Sequence, residues 1–170
     1  IKLGHGLDVG IKMGPLVSSA HREKVEAYIQ VGVAEGATLL CGGKRPIGLE
    51  NGFFLEPTIF DCVTPSMRIA REEIFGPVLS VIEFGDEEEA IRIANDTEYG
   101  LAAGIWTKDV HRAMRMVKSV RAGIVWVNTY HPTYNEMPWG GVKKSGIGRE
   151  LGLYGIEEYL ETKQINFQIA

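Results

Sequence analysis

The chain of 170 residues is predicted to fold as an α/β protein, a mostly parallel open sheet with helices on both faces plus a C-terminal association strand. Two observations predict this. From Val78 to Asn128, short apolar runs alternate with amphipathic stretches of about ten residues, the pattern of a parallel sheet joined by helical crossovers. The last residues, "TKQINFQIA", then switch to a period of two, the mark of a half-buried strand.

The elements follow in order. In "SSAHREKVEAYIQVGVAEG", Val25, Tyr28, Ile29 and Val33 recur at helical spacing, with serines at the start and Gly36 at the stop. "ATLLC" and "PTIFDCV" are strand-like, separated by the turn-rich "GGKRPIGLENGF". "VLSVIEF", Val78 to Phe84, is the next strand. Asp86 then caps a helix running to about Asp96, with Glu89 three residues on and an acidic first turn that suits the helix dipole. "GLAAGIWT" is a strand, and "DVHRAMRMVKSV" a helix with Val110, Ala113, Val117 and Val120 on one face. "GIVWVN" is the strand that follows. "GRELGLYGIEEYLE" reads as a helix that tolerates its glycines. In the tail, Gln164, Asn166 and Gln168 alternate with Ile165, Phe167 and Ile169, so an edge is left either for a neighbouring subunit or for a strand of the same domain.

Composition narrows the function. The chain is 45% hydrophobic and 24% charged, ordinary for a domain that buries roughly 70% of its unfolded surface. Its net charge of -4 is spread without a basic stripe, so neither nucleic acid nor a membrane surface is an expected partner. Apolar runs are far short of the ~20 residues of a membrane span, and no signal-peptide pattern opens the chain. Cys41 and Cys62 lack the spacing of zinc or redox sites; they read as buried or half-buried filler in a reducing compartment, the cytoplasm. The first methionine is Met13, so the chain is expected to begin inside a longer protein.

Several chemistries find no support. The four histidines, His5, His21, His111 and His131, form no H-x-x-x-H pair, and no metal site is expected. His21 and His111 read as solvated helix residues; His131, in the loop beyond a strand end, is a candidate to approach a substrate. No nucleophile has a base beside it in sequence. Two glycine clusters, "GHGLDVG" and "GIGRELG", are one residue too long for a dinucleotide fingerprint, and the second is either a structural turn or a site wall. In open α/β sheets ligands sit beyond the carboxyl ends of strands, which points to the loop "TYHPTYNEMPWGG" after Asn128. The segment "REEIFGPV" has two readings. Its glutamates are solvated and Phe75 lies in the core, or a carboxylate grips a vicinal diol while Phe75 offers an apolar wall to a flat ring.

Four blocks, "EEIFGPV", "NDTEYGLAAGIWTKD", "AGIVWVN" and "PWGGVKKSGIGRELG", occur in order and resemble the C-terminal part of the aldehyde dehydrogenase superfamily, from about Met13 to the end. The resemblance implies that Glu73 binds the nicotinamide ribose hydroxyls and that Phe75 contacts the nicotinamide ring. It implies nothing for Glu72. It implies a substrate pocket at Trp139, with Tyr130 and His131, and more weakly Tyr134, in the same loop. The implied cofactor is NAD or NADP, with NAD favoured, and the implied reaction is oxidation of an aldehyde to an acid through a cysteine thiohemiacetal and thioester. In that family the nucleophile, the base and the dinucleotide-binding domain lie upstream of the matched region, so no catalytic residue is expected here and neither Cys41 nor Cys62 takes the role. Residues 1–161 then correspond to the C-terminal part of the catalytic domain and 162–170 to a strand through which identical subunits associate. "NTYHPTYNEMPWGG" most resembles the betaine-aldehyde and aminoaldehyde branch, where aromatic rings hold a cationic amine, and the loop has no arginine for a substrate carboxylate. The alternative is a non-catalytic association module of the same fold.

Overall fold

The computed structural model describes residues 1–169 and divides into two compact units, the first Ile1–Phe84 and the second beginning at Gly85. In the first unit, helix α1 (Ser19–Ala34) starts where Ser18 Oγ accepts the His21 amide at 3.1 Å, and ends ahead of Gly36, at φ +94°. Strands β1 (Thr38–Cys41), β2 (Thr58–Asp61) and β3 (Val78–Ser80) form a sheet in that order. β1 is antiparallel and β3 parallel to β2. A one-turn helix, α2 (Arg68–Arg71), lies between β2 and β3. The strand predicted from Val78 to Phe84 pairs only over its first residues, because its partner β2 ends at Asp61.

Val25 and Ile29 of α1, Leu55, Phe60 of β2, Ile69 of α2 and Ile74 make the core of this unit. Val25 and Phe60 are wholly removed from solvent, each worth about 1.5 to 3 kcal/mol of burial. The buried Thr58 is satisfied within it: its hydroxyl accepts from the Gly43 amide and donates to the Glu56 carbonyl, both at 2.9 Å. The two cysteines are exposed, contrary to the expectation of buried filler. Every residue of the edge strand β1 is exposed, Cys41 included, and Cys62 sits just past β2 in the left-handed region, at φ +55°.

In the second unit, helix α3 (Glu87–Asn95), strand β4 (Ala102–Ile105), helix α4 (Val110–Ser119) and strand β5 (Ile124–Val127) give the predicted alternation. β4 and β5 are parallel, with Ala102 opposite Ile124 and Ile105 opposite Val127. The Asp86 carboxylate accepts the Glu89 amide at 2.8 Å to cap α3, and Asp109 accepts the amides of His111 and Arg112 to cap α4. Asn95 ties the far ends of these helices together: its amide donates to the Ser119 carbonyl and its oxygen accepts the Arg121 amide.

The C-terminal helix is shorter than predicted, α5 at Gly152–Glu157, because Leu151 and Gly152 turn left-handed at φ +62° and +58°. Residues 161–169 have no regular structure and are exposed. A strand needs a partner edge, and among the described residues none pairs with this segment. Ala170, last in the expected association strand, lies outside the described residues. Among the described residues no helix is long and apolar enough to cross a membrane.

Candidate functional site

The first unit carries the "REEIFGPV" segment. Glu72, Glu73 and Phe75 are all exposed, but they are not equivalent. Glu72 is committed to the protein: its carboxylate accepts from Arg68 Nε at 2.8 Å, Arg68 Nη2 at 3.0 Å and the Tyr28 hydroxyl at 2.8 Å. The Arg68 guanidinium and the Tyr28 hydroxyl together lower its pKa to about 2. Glu73, by contrast, has no side-chain hydrogen bond or ion pair among the described residues, so all its acceptor sites are available.

The Phe75 side chain is 73% exposed, which removes the reading that puts it in the core. Its backbone is at φ +58°, a region that costs an L-residue roughly 1 to 2 kcal/mol. Such geometry persists only where neighbours enforce it. On one side Ile74 is buried; on the other, Thr58 donates its amide to the Pro77 carbonyl at 2.8 Å. Gly76 presses on α1 so closely that a Cβ there would lie 2.6 Å and 2.7 Å from the two Val25 methyls. The Phe75 carbonyl lies 2.8 Å from His21 Nε2. His21 is therefore not the solvated helix residue the sequence suggested. A groove of about 490 Å³ runs beside Phe75, lined by Pro15, Leu16, Leu55, Gly76 and Pro77. An uncommitted carboxylate two residues from an outward aromatic, beside an apolar groove, suits a ribose diol and a flat ring.

The second unit gathers the other candidates. Trp126 of β5 is the hub, nearly buried, with its indole N–H donating to the Pro132 carbonyl at 3.1 Å. Around it stand Tyr130, His131 and Trp139, at ring-centroid distances of 5.1, 6.2 and 6.1 Å. His131 also meets Tyr130 at 6.2 Å and Trp139 at 6.1 Å. Tyr134 lines the same side as Trp126 and Trp139, in a cavity of about 310 Å³.

Backbone devices hold this wall in place. Asn128, left-handed at φ +54°, accepts the Thr107 amide and donates to the Thr107 carbonyl, extending the β4–β5 pairing beyond the strands. Trp139 and Glu150 exchange two backbone hydrogen bonds at 2.7 and 2.8 Å. Gly123 cannot carry a side chain, because a Cβ would collide with the Gly140 carbonyl. Lys143 donates to the carbonyls of Asn95 and Thr97, fixing the turn after Trp139 against the end of α3.

The "GIGRELG" glycines adopt positive φ at Gly146, Gly148 and Gly152, and Arg149 braces the turn by donating to the carbonyls of Gly141 and Gly148. Sequence reasoning missed His21 and Trp126. Trp126 stood inside a quoted motif, but its alternation in "GIVWVN" marked it only as strand. Among the described residues no three His, Cys, Asp or Glu side chains gather as metal ligands.

The aldehyde dehydrogenase family profile matches residues 1–165, reaching further toward the start than the quoted motifs. The chain is 53% identical over 167 residues to betaine aldehyde dehydrogenase of Bacillus subtilis, covering 97% of this chain and 34% of that protein. It is 51% identical over 165 residues to peroxisomal aminoaldehyde dehydrogenase 1 of Pisum sativum, covering 97% of this chain and 33% of that one. A crystal structure of betaine aldehyde dehydrogenase from Staphylococcus aureus in complex with NAD+ superposes with a TM-score of 0.94 at 50% identity, over 99% of this chain and 35% of that one. The chain thus spans about a third of the length of these relatives. With a profile match over almost its whole length and half its residues shared with these relatives, this chain belongs to the aldehyde dehydrogenase family.

Proposed function

We propose that the chain is part of an NAD-dependent aldehyde dehydrogenase that oxidises betaine aldehyde or an aminoaldehyde to the acid through a cysteine thiohemiacetal and thioester. The observation that carries this is the pairing of an uncommitted Glu73 with an outward Phe75 held in a strained backbone. Glu73 accepts hydrogen bonds from the nicotinamide ribose hydroxyls, and the Phe75 ring packs on the nicotinamide. NAD+, when bound, supplies the hydride acceptor; the cysteine nucleophile and its base come from outside these 170 residues, which do not turn over alone. The S. aureus relative's NAD+ complex favours NAD over NADP.

Trp139, Tyr130 and His131 form the substrate wall. Ring faces attract a quaternary or protonated amine by about 0.5 to 2 kcal/mol each, and loop 129–138 brings no arginine or lysine to repel it. Identical subunits associate through residues 162–170. Two cysteines without a disulfide suit a reducing compartment, the cytoplasm, although plant relatives are chloroplastic or peroxisomal. The reading as a bare association module leaves Glu73 and Phe75 without a task.

The test compares Trp139→Ala in the full-length protein on betaine aldehyde and on its neutral isostere 3,3-dimethylbutanal. KM for the cation rises roughly 2- to 30-fold, the range of one cation–π contact, and that for the neutral aldehyde rises less. Equal rises for both would remove the cation-binding role.

A further inference from the structure

We infer that His21 is a positioning residue that holds the Glu73–Phe75 segment in its binding conformation, acting through the Phe75 carbonyl. The proposal rests on the reading of Glu73 and Phe75 as the cofactor contacts, and adds the device that presents them.

Three residues on one stripe of α1 meet the segment. His21, Val25 and Tyr28 are spaced i, i+4, i+7, so they line one face across two helical turns. Tyr28 donates to Glu72, Val25 abuts Gly76, and His21 reaches the Phe75 carbonyl, 54 residues away in sequence. The stripe meets the segment at Glu72, at the Phe75 carbonyl and at Gly76, and leaves the Glu73 carboxylate without a contact to it. Glu72 and Gly76 have further constraints from Arg68 and from packing, but the left-handed Phe75 peptide has only His21 on its carbonyl among the described residues.

The chemistry of His21 fits a fixed donor. A carbonyl can only accept, so the Nε2 facing it must carry the proton. The other ring nitrogen, Nδ1, is buried with no hydrogen-bond partner. The contact to the carbonyl thus selects a proton on Nε2. The ring also lies against Phe75, centroid to centroid 6.2 Å at 37°, so the same residue steadies both the carbonyl and the base of the aromatic side chain.

The experiment uses the full-length protein with His21→Phe, which keeps an aromatic ring and deletes the donor, and His21→Gln, which restores an N–H near the Nε2 position. H21F is expected to raise KM for NAD+ about fivefold, the value of one neutral hydrogen bond, and to do so by more than it lowers kcat. H21Q returns KM to within about twofold. Glu73→Gln and Phe75→Ala are measured alongside. If they raise KM for NAD+ while folded H21F does not, or if folded H21Q fails to rescue, the role of His21 is refuted. If E73Q and F75A also leave it unmoved, the cofactor reading beneath the proposal fails instead. Should H21F not fold, ¹⁵N-histidine NMR of the unmodified protein decides: the Nε2–H tautomer at His21 supports the proposal and the Nδ1–H tautomer overturns it.

Discussion

Gly76 and Val25 offer a sharp test of how the cofactor segment is seated. An alanine methyl at position 76 would come 2.6 Å and 2.7 Å from the Val25 γ-carbons, inside any contact distance. Val25 is fully buried and β-branched, with little rotamer freedom in a helix, so it cannot swing aside. Gly76→Ala alone should therefore cost about 1 to 3 kcal/mol as overpacking. Val25→Ala alone deletes two buried methyl groups, about 2 kcal/mol at ~0.8 kcal/mol each plus a cavity term. In the double variant the new methyl occupies part of that cavity, and the losses should fall short of their sum by roughly 1 to 2 kcal/mol. Urea unfolding of all four proteins reads this. With a slope near 2 kcal/mol per molar, each single substitution lowers the midpoint by about 1 M, and the double variant recovers part of the loss. If the two changes add to within about 0.5 kcal/mol, the α1 stripe does not touch the segment as described, and the account of Phe75 presentation fails with it.

Three further outcomes are expected. The depressed pKa of Glu72, about 2 against 4.5, means that its contribution to stability is full above about pH 4.5 and is lost as pH falls toward 2, because the unfolded chain then binds the proton first. The gap between wild type and Glu72→Gln in an unfolding titration should close across that window; a constant gap would show that the Arg68 and Tyr28 hydrogen bonds do not act on the charge. Thr58→Val leaves the Gly43 amide without its acceptor and the Glu56 carbonyl without its donor inside the first unit, and should cost about 1 to 3 kcal/mol by chemical denaturation, where Thr58→Ser costs less. Equal losses would mean that packing rather than hydrogen bonding matters there. Deleting residues 164–170, whose Ile165, Phe167 and Ile169 are exposed, should lower the assembled mass of the full-length protein in light scattering; an unchanged mass refutes the association strand.

Much of the local structure was legible in the sequence, because its signals act over a few residues. Ser18, Asp86 and Asp109 cap the helices they precede, since a short polar side chain reaches amides two or three positions on. The four motif blocks likewise identified the family, and the resemblance singled out Glu73, Phe75 and Trp139 as the residues to look at. The failures were of the opposite kind. Cys41 looked buried because "ATLLC" is apolar, yet its strand lies at the sheet edge, and whether a strand is central or peripheral depends on which strands pair. His21 read as solvated because it stands on the polar side of its helix, yet it meets the Phe75 carbonyl, 54 residues away in sequence.

By itself, then, the sequence determined where most helices and strands begin and which family the chain belongs to. Only the tertiary structure decided which of two adjacent glutamates is uncommitted. Tyr28 and Glu72 are 44 residues apart, and His21 and Phe75 are 54 apart, so no local periodicity records that they meet. Their meeting follows from α1 packing on the same core as Ile74, and it is that packing, through contacts distant in sequence, which frees Glu73 and turns Phe75 outward.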